Sequence, residues 1–313
     1  MPSHVAITGA TGFIGSAVLK ELLLGGVQVT VMLRPDSDTA RLKAMEGFET
    51  LTYAHLPDKS TIDRLRANKP DVFIHCGWRG VGGHERNEAF QIPYNVQATT
   101  DAVELAAASG CRKWIGLGSQ AEYGNQNRSL DEDAALLPTT LYGKAKLAAG
   151  TAALALCEAR QIAGVWLRVF STYGPADAPK WLIPNVIQEF LADRAPLLTQ
   201  CEQLWDYLYV ADAARAVCAA AHVTTNGVFN LGSGCALPLK DYIEAIRSEL
   251  ATSLKPAYGA VPYRPDQVMH LEADISRLTE ATGWRPTTNL REGIRATVAF
   301  ERRRAEFALG GTP

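Results

Sequence analysis

The chain has 313 residues, a net charge of −2, and 47% hydrophobic against 20% charged residues. That length suits one or two domains with a large core, and at this near-neutral balance no basic field argues for nucleic acid. The most apolar helical stretches carry Glu158, Arg160 or Arg215 and so are not membrane spans, and Met1–His4 runs into a strand with no signal segment, so a cytoplasmic protein is expected.

In chain order, His4–Thr8 is a short apolar run, and Phe13–Leu24 then places Ile14, Val18, Leu19 and Leu22 at helical spacing until Gly25-Gly26 stops it. Val27–Leu33, Thr50–Tyr53, Val72–Cys76, Trp114–Leu117 and Val165–Val169 read as strands, with helices predicted over Glu85–Ser109 and Leu141–Gln161. The strands are continuous apolar runs rather than alternating ones. That pattern marks a parallel sheet covered on both faces, a doubly wound α/β sheet of Rossmann type. From Tyr173 the rhythm breaks at Pro175, Pro179, Pro184 and Pro196. We therefore expect residues 1–172 to form a dinucleotide-binding domain, with 207–232 returning to it, and 173–313 to form a smaller α+β substrate-binding domain. The six cysteines (76, 111, 157, 201, 218 and 235) include no CxxC pair, so reduced thiols and no metal site are expected.

Three features carry chemistry. Gly9-Ala10-Thr11-Gly12-Phe13-Ile14-Gly15 sits between the first strand and the first helix, where glycines let backbone amides approach a pyrophosphate at a helix N-terminus. Its first two glycines are one residue further apart than in G-x-G-x-x-G. The second strand ends at Arg34, where an acid would read the ribose hydroxyl of NAD and an arginine suits the 2′-phosphate of NADP. Arg41 and Lys43 are close in sequence, while Asp36 and Asp38 leave open a solvated loop of mixed charge. Tyr142-Gly143-Lys144-Ala145-Lys146 puts a phenol and an ammonium one helical turn apart, so the positive charge favours the phenolate. Ser119, in "LGSQAEYG" (117–124), stands at a strand tip.

Together these motifs resemble the extended short-chain dehydrogenases/reductases, the NAD(P)-dependent nucleotide-sugar epimerase, dehydratase and reductase family. The resemblance spans nearly the whole chain, including "NVQATTDAVELA" from Asn95, "LRVFSTYGP" (167–175), "WDYLYVADAARA" (205–216), "YRPDQ" (263–267) and "TGWRPTTNLREGI" (282–294). It implies Ser119, Tyr142, Lys146 and Asn95 as catalytic residues. It implies Gly9, Thr11, Gly12, Phe13, Ile14, Gly15, Arg34, Cys76, Gly77, Trp78, Tyr142, Lys146 and Phe170 around the cofactor. Trp78, Arg79, Gln120, Ser171, Trp205 and the diphosphate-binding Arg264 would face the substrate, although Trp78 is equally compatible with plain packing. A homodimer through the helices of Asn95 and Tyr142 is also implied.

Two departures narrow the expected reaction. In the family's 4,6-dehydratases the catalytic threonine is followed by Asp and Glu, the acid and base of water elimination, where this chain has Gln120 and Ala121. Trp205 replaces a common diphosphate-binding arginine, and Ser171 a common asparagine. The resemblance then implies an NADPH-dependent reductase of a nucleotide-linked 4-keto sugar, of the 6-deoxy class. An NAD-dependent C4-epimerase and a non-catalytic NADP-binding sensor are the alternatives. NADP(H) is favoured by Arg34, with NAD(H) possible.

Overall fold

The computed structural model describes residues 2–53 and 57–308; Met1, 54–56 and 309–313, which fall within the two expected domains, lie outside the described residues. The strands are β1 His4–Thr8, β2 Gln28–Leu33, β3 Glu49–Thr52, β4 Val72–His75, β5 Lys113–Leu117, β6 Arg128–Leu130, β7 Ala163–Val169, β8 Ser171–Tyr173, β9 Leu204–Trp205, β10 Tyr207–Tyr209, β11 Gly227–Leu231, β12 Leu237–Pro238 and β13 His270–Ala273. The helices are α1 Phe13–Leu24, α2 Lys59–Asn68, α3 Gln91–Ala108, α4 Leu141–Ala159, α5 Leu182–Leu191, α6 Val210–His222, α7 Leu239–Leu250, α8 Ser276–Thr282 and α9 Leu290–Ala308.

Seven strands pair in the order β11-β7-β5-β4-β1-β2-β3, all parallel. Every residue of β1, β4 and β5 is buried, as strands covered on both faces must be. One core layer packs α1 and α6 on the sheet around Val18, Leu19, Val217 and Leu231. The other packs α3 and α4 around Phe73, Val103, Ala153 and the stacked pair Trp114 and Trp166, whose planes are 7° apart. This is the doubly wound sheet the continuous apolar runs predict. The strand order turns back between β1 and β4, which opens a crevice at the carboxyl ends of β1, β4 and β5.

The remaining strands lie outside this sheet. β8 pairs with β10, and β12, β9, β13 and β6 form a four-stranded sheet beside α5, α7 and α9. Tyr173, Tyr207, Tyr209 and Tyr242 meet edge-on in that second core. Some boundaries differ from the sequence reading. The helix expected from Glu85 begins at Gln91, because Pro93 is tolerated only in a first turn, where its missing N–H is not needed. Residues 83–85 form a separate 3-10 turn. The stretch from Tyr207 divides into β10 and α6. Helix α2 is missing from the sequence reading because it buries only Thr61 and Leu65, too narrow a stripe to show a period.

A buried ion pair joins the two regions. Arg168, on β7, donates from Nε to Glu122 Oε2 at 2.8 Å, with both side chains at most 5% exposed. Its Nη1 also donates to the Tyr123 hydroxyl, which in turn donates to Asn230 Oδ1 on β11. Asn230 Nδ2 donates to the carbonyls of Leu130 and Asp274 in the second sheet's β6–β13 region. Removing one partner of such a pair leaves a buried charge without compensation. Arg168→Met is therefore expected to destabilise the fold by about 3–5 kcal/mol, read as a lowered midpoint in urea at unchanged m-value.

Candidate active site

The glycine loop follows β1 into the crevice. Gly9 has φ +72°, and a Cβ there would lie 2.5 Å from the backbone of Cys76 and Gly77, so the loop packs flush on the end of β4. A Cβ on Gly15 would collide with the Gly9 carbonyl, which fixes α1 directly behind the loop. Helix α1 opens on Gly12 with no side-chain cap and no acidic residue in its first turn. Its leading amides are thus left for an anion, and the residues present fit a dinucleotide pyrophosphate.

Arg34 leaves β2 half-exposed, donating from Nη1 to the Tyr94 hydroxyl at 3.0 Å and standing 3.4 Å from Asp36. Arg41 is committed elsewhere. Its Nη1 donates to the Thr11 carbonyl at 3.0 Å, and its Nε and Nη2 donate to the Ala176 carbonyl. It therefore braces the glycine loop against the segment after β8, while Lys43 is exposed.

Past β4, burial pushes the Cys76 thiol up to about 12 and holds His75 down to about 3, in each case with Lys146 as the lesser influence. The loop that follows is pinned by Asn95. Its Oδ1 accepts from Arg79 N at 2.9 Å and its Nδ2 donates to the Arg79 carbonyl at 3.0 Å. Gln91, one turn earlier on α3 and fully buried, donates to the carbonyls of Gly80 and Glu85 and accepts from Trp78 Nε1 and Asn95 Nδ2. Sequence reading missed Gln91. Its only signal was the i−4 spacing to Asn95 on one helix face. The Arg79 guanidinium lies over the Phe90 and Tyr94 rings, 4.7 and 5.2 Å from their centroids, on the same side as Arg34.

Ser119, Tyr142 and Lys146 meet where α4 crosses the end of β5. Gly143 makes this possible, since a Cβ there would press into the Ala121 carbonyl. Tyr142 is 7% and Lys146 4% exposed. Burial pushes the Tyr142 phenol above its ordinary value; the Ser119 hydrogen bond and the Arg86 charge pull it back, and Glu122 pushes it up. Lys146 Nζ donates to the Leu117 carbonyl at 2.7 Å and sits 3.6 Å from the centroid of Trp78, whose ring also meets Tyr142 edge-on. Desolvation holds the Lys146 ammonium down to about 7, against the raising charges of Glu122 and Cys76.

The two positions after Ser119 hold the half-buried Gln120 and Ala121, and the next carboxylate is not free. Glu122 Oε1 accepts from Ser119 N and Trp166 Nε1, while Oε2 takes Arg168. Ser119 in turn accepts from Ala121 N, completing a capping box. The Ser-x-x-Glu spacing was legible in the sequence and unused there.

Of the remaining expected substrate residues, Ser171 lies on β8 and Trp205 on β9 of the four-stranded sheet. Trp205 Nε1 donates to Ser171 Oγ at 2.7 Å, so the two departures from the family pattern form one hydrogen-bonded pair. Arg264 is exposed on its turn. Phe170 is buried against Tyr123. Asp212 accepts from Thr287 N and Thr288 N, which ties "WDYLYVADAARA" to "TGWRPTTNLREGI". Among the described residues no His, Cys, Asp or Glu cluster suits a metal ion, and no helix is long and apolar enough to cross a membrane.

Comparison with known proteins gives this geometry a family. The sequence profile of the NAD dependent epimerase/dehydratase family matches residues 5–232. The chain is 26% identical to dTDP-glucose 4,6-dehydratase of Streptomyces griseus, covering 96% of this chain and 94% of that one. It is 27% identical to dTDP-4-dehydro-6-deoxyglucose reductase of Escherichia coli, covering 93% and 95%. Among solved structures, UDP-N-acetylglucosamine 4-epimerase from Methanobrevibacter ruminantium M1, in complex with UDP-N-acetylmuramic acid, superposes with a TM-score of 0.86 at 25% identity over 96% of this chain and 99% of that one. The protein belongs to the NAD dependent epimerase/dehydratase family of NAD(P)-dependent, nucleotide-sugar-modifying enzymes.

The depressed Lys146 has a consequence for stability. An ammonium with a folded-state value near 7 and an ordinary value of 10.5 disfavours the folded state fully below pH 7, and the cost fades as pH rises to 10.5. Lys146→Met is expected to raise Tm of the cofactor-free protein most at pH 6–7, with the gain shrinking towards pH 10, measured by thermal melts across that range.

Proposed function

We propose that the protein is an NADPH-dependent reductase of the 4-keto group of a nucleotide-linked sugar, of the 6-deoxy hexose class. The observation that carries this reading is the Tyr142 phenol, buried, kept protonated by that burial, and set against Ser119 with no free carboxylate at the tip of β5. A ketone reduction needs a proton donor at that place. Water elimination needs a further acid and base, and Gln120 and Ala121 offer neither. The E. coli reductase among the relatives supports the same direction.

A bound nicotinamide supplies the hydride in this scheme. Tyr142 gives its proton to the carbonyl oxygen, and Ser119 holds that oxygen by a hydrogen bond. Lys146, fixed by the Leu117 carbonyl, faces the cofactor's ribose side. Asn95 acts at one remove by locking the Arg79 backbone. Arg34, with Tyr94, reads the 2′-phosphate of NADPH. Trp78, Gln120, the Trp205–Ser171 pair and Arg264 line the way to the sugar and its diphosphate. In this reading residues 1–172, with 207–232 returning to them, serve the cofactor and 173–313 the substrate, and two chains pair through α3 and α4. A C4-epimerase is the second reading, favoured by the likeness to the M. ruminantium enzyme.

The deciding experiment incubates purified protein with NADPH or NADH and a panel of dTDP- and UDP-linked 4-keto and 4-hydroxy sugars, following nicotinamide absorbance and products. Stoichiometric consumption of NADPH with a keto sugar is expected. Interconversion of two 4-hydroxy epimers without net change in absorbance would replace the reductase reading with the epimerase. Tyr142→Phe is expected to abolish turnover while cofactor affinity stays within a few-fold. Arg34→Ala should weaken NADPH by about 1.5–3 kcal/mol, the scale of a hydrogen bond to a charged group, and NADH far less; equal losses in a binding titration would remove Arg34 from 2′-phosphate recognition.

A further inference from the structure

The Tyr-x-x-x-Lys spacing assigns the cation that tunes Tyr142 to Lys146, one turn along the same helix. The side chains are arranged otherwise. Lys146 Nζ is spent on the Leu117 carbonyl and on the face of Trp78, 5.8 Å from the Tyr142 ring centroid. A second cation lies closer. The Arg86 guanidinium carbon is 4.9 Å from the Tyr142 centroid, over the ring.

Backbone contacts hold Arg86 there. Its carbonyl accepts the Tyr142 N–H at 2.8 Å, and the neighbouring Asn87 Oδ1 accepts the Leu141 N–H at 3.1 Å. Segment 86–87 and Thr140 together satisfy the leading amides of α4, so the loop after β4 is stapled to the turn that carries the phenol. Arg86 Nε is buried with no hydrogen-bond partner, and among the described residues no carboxylate pairs with its guanidinium. A half-buried charge with no carboxylate partner, held over a phenol ring, is free to act on that phenol.

We infer that Arg86 is a positioning residue for Tyr142, the fixed cation that sets the acidity of its phenol, while Lys146 serves the cofactor side. The inference deepens the proposed reaction, in which Tyr142 is the proton donor. An arginine remains charged throughout the working pH range, whereas desolvation leaves Lys146 only partly charged near neutrality. Burial makes the phenol reluctant to release its proton, and Arg86 offsets that. The other groups facing Tyr142 are Ser119 and Glu122 from the end of β5, Trp78 from the loop after β4, and Lys146 from α4 itself, which Cys76 faces in turn. Of these, Glu122 opposes Arg86 and is neutralised by Arg168.

The first test needs neither substrate nor cofactor, so it stands apart from the reductase assay. Tyr142 is replaced by 3,5-difluorotyrosine, whose more acidic phenol titrates within the pH range the fold survives, and its 19F resonance is followed against pH. In the Arg86→Gln background the midpoint should rise by about one pH unit, the effect of losing a cation within 4–6 Å. In Arg86→Lys it should stay within a few tenths of the parent, and in Lys146→Met it should move less than in Arg86→Gln. In parallel, the pH profile of kcat for Arg86→Gln with the natural tyrosine should shift in the same direction. An unchanged midpoint in Arg86→Gln, or a larger rise in Lys146→Met, would overturn the assignment and return the tuning to Lys146. If Arg86→Gln folds poorly, Arg86→Met takes its place, with the same rise of about one pH unit expected and an unchanged midpoint overturning the assignment.

Discussion

The Glu122–Arg168 ion pair is the constraint on which the rest of the site depends. One carboxylate receives the Ser119 amide, the Trp166 indole and the Arg168 guanidinium, and so spends its acceptor capacity below the crevice. Through Arg168, Tyr123 and Asn230 the same network reaches the β6–β13 region of the second sheet. The serine is therefore placed by a buried electrostatic unit that also ties the seven-stranded sheet to the β6–β13 region. Such a unit is a costly way to gain stability, because two charges must be desolvated. What it gains here is a fixed direction for Ser119 and a carboxylate withheld from acid–base chemistry.

Above that unit, helix α4 lies close to the strand ends because its contact residues are small. Gly143 meets the Ala121 carbonyl and Gly150 meets Trp166, so a side chain at either would lift the helix away. The close approach buries Tyr142 and Lys146 together, and burial acts on the two in opposite directions. The phenol is pushed towards its protonated form and the ammonium towards its neutral one. Both neutral forms are thereby favoured, which leaves the arginine of the neighbouring loop as the permanent charge at the centre.

The two expected departures from the family pattern lie side by side in the fold. Trp205 and Ser171 are far apart in sequence but share a hydrogen bond of 2.7 Å. A bulky indole takes the place of a guanidinium, and a small hydroxyl accepts its one N–H, so neither substitution leaves a polar group stranded.

The amino-acid order by itself determined the doubly wound sheet, the glycine loop, and the shared helix face of Tyr142 and Lys146. Those features rest on local periodicity and on residue types that only certain backbones accept: unbroken apolar runs for buried parallel strands, glycine at φ +72° on Gly9, and a four-residue spacing on one helix face. The tertiary structure decided the rest. Gln91 anchors the loop after β4, Arg41 braces the glycine loop instead of waiting for a phosphate, and Arg86 comes to lie over a tyrosine 56 positions away in the chain. None of these has a sequence period, because each depends on where a loop crosses an element it is not continuous with. Charge, moreover, is set by desolvation rather than by spacing. Lys146 stands one turn from Tyr142, as the motif requires, yet the strand end beneath it and the indole above it claim its ammonium, and only the packed structure contains those two neighbours.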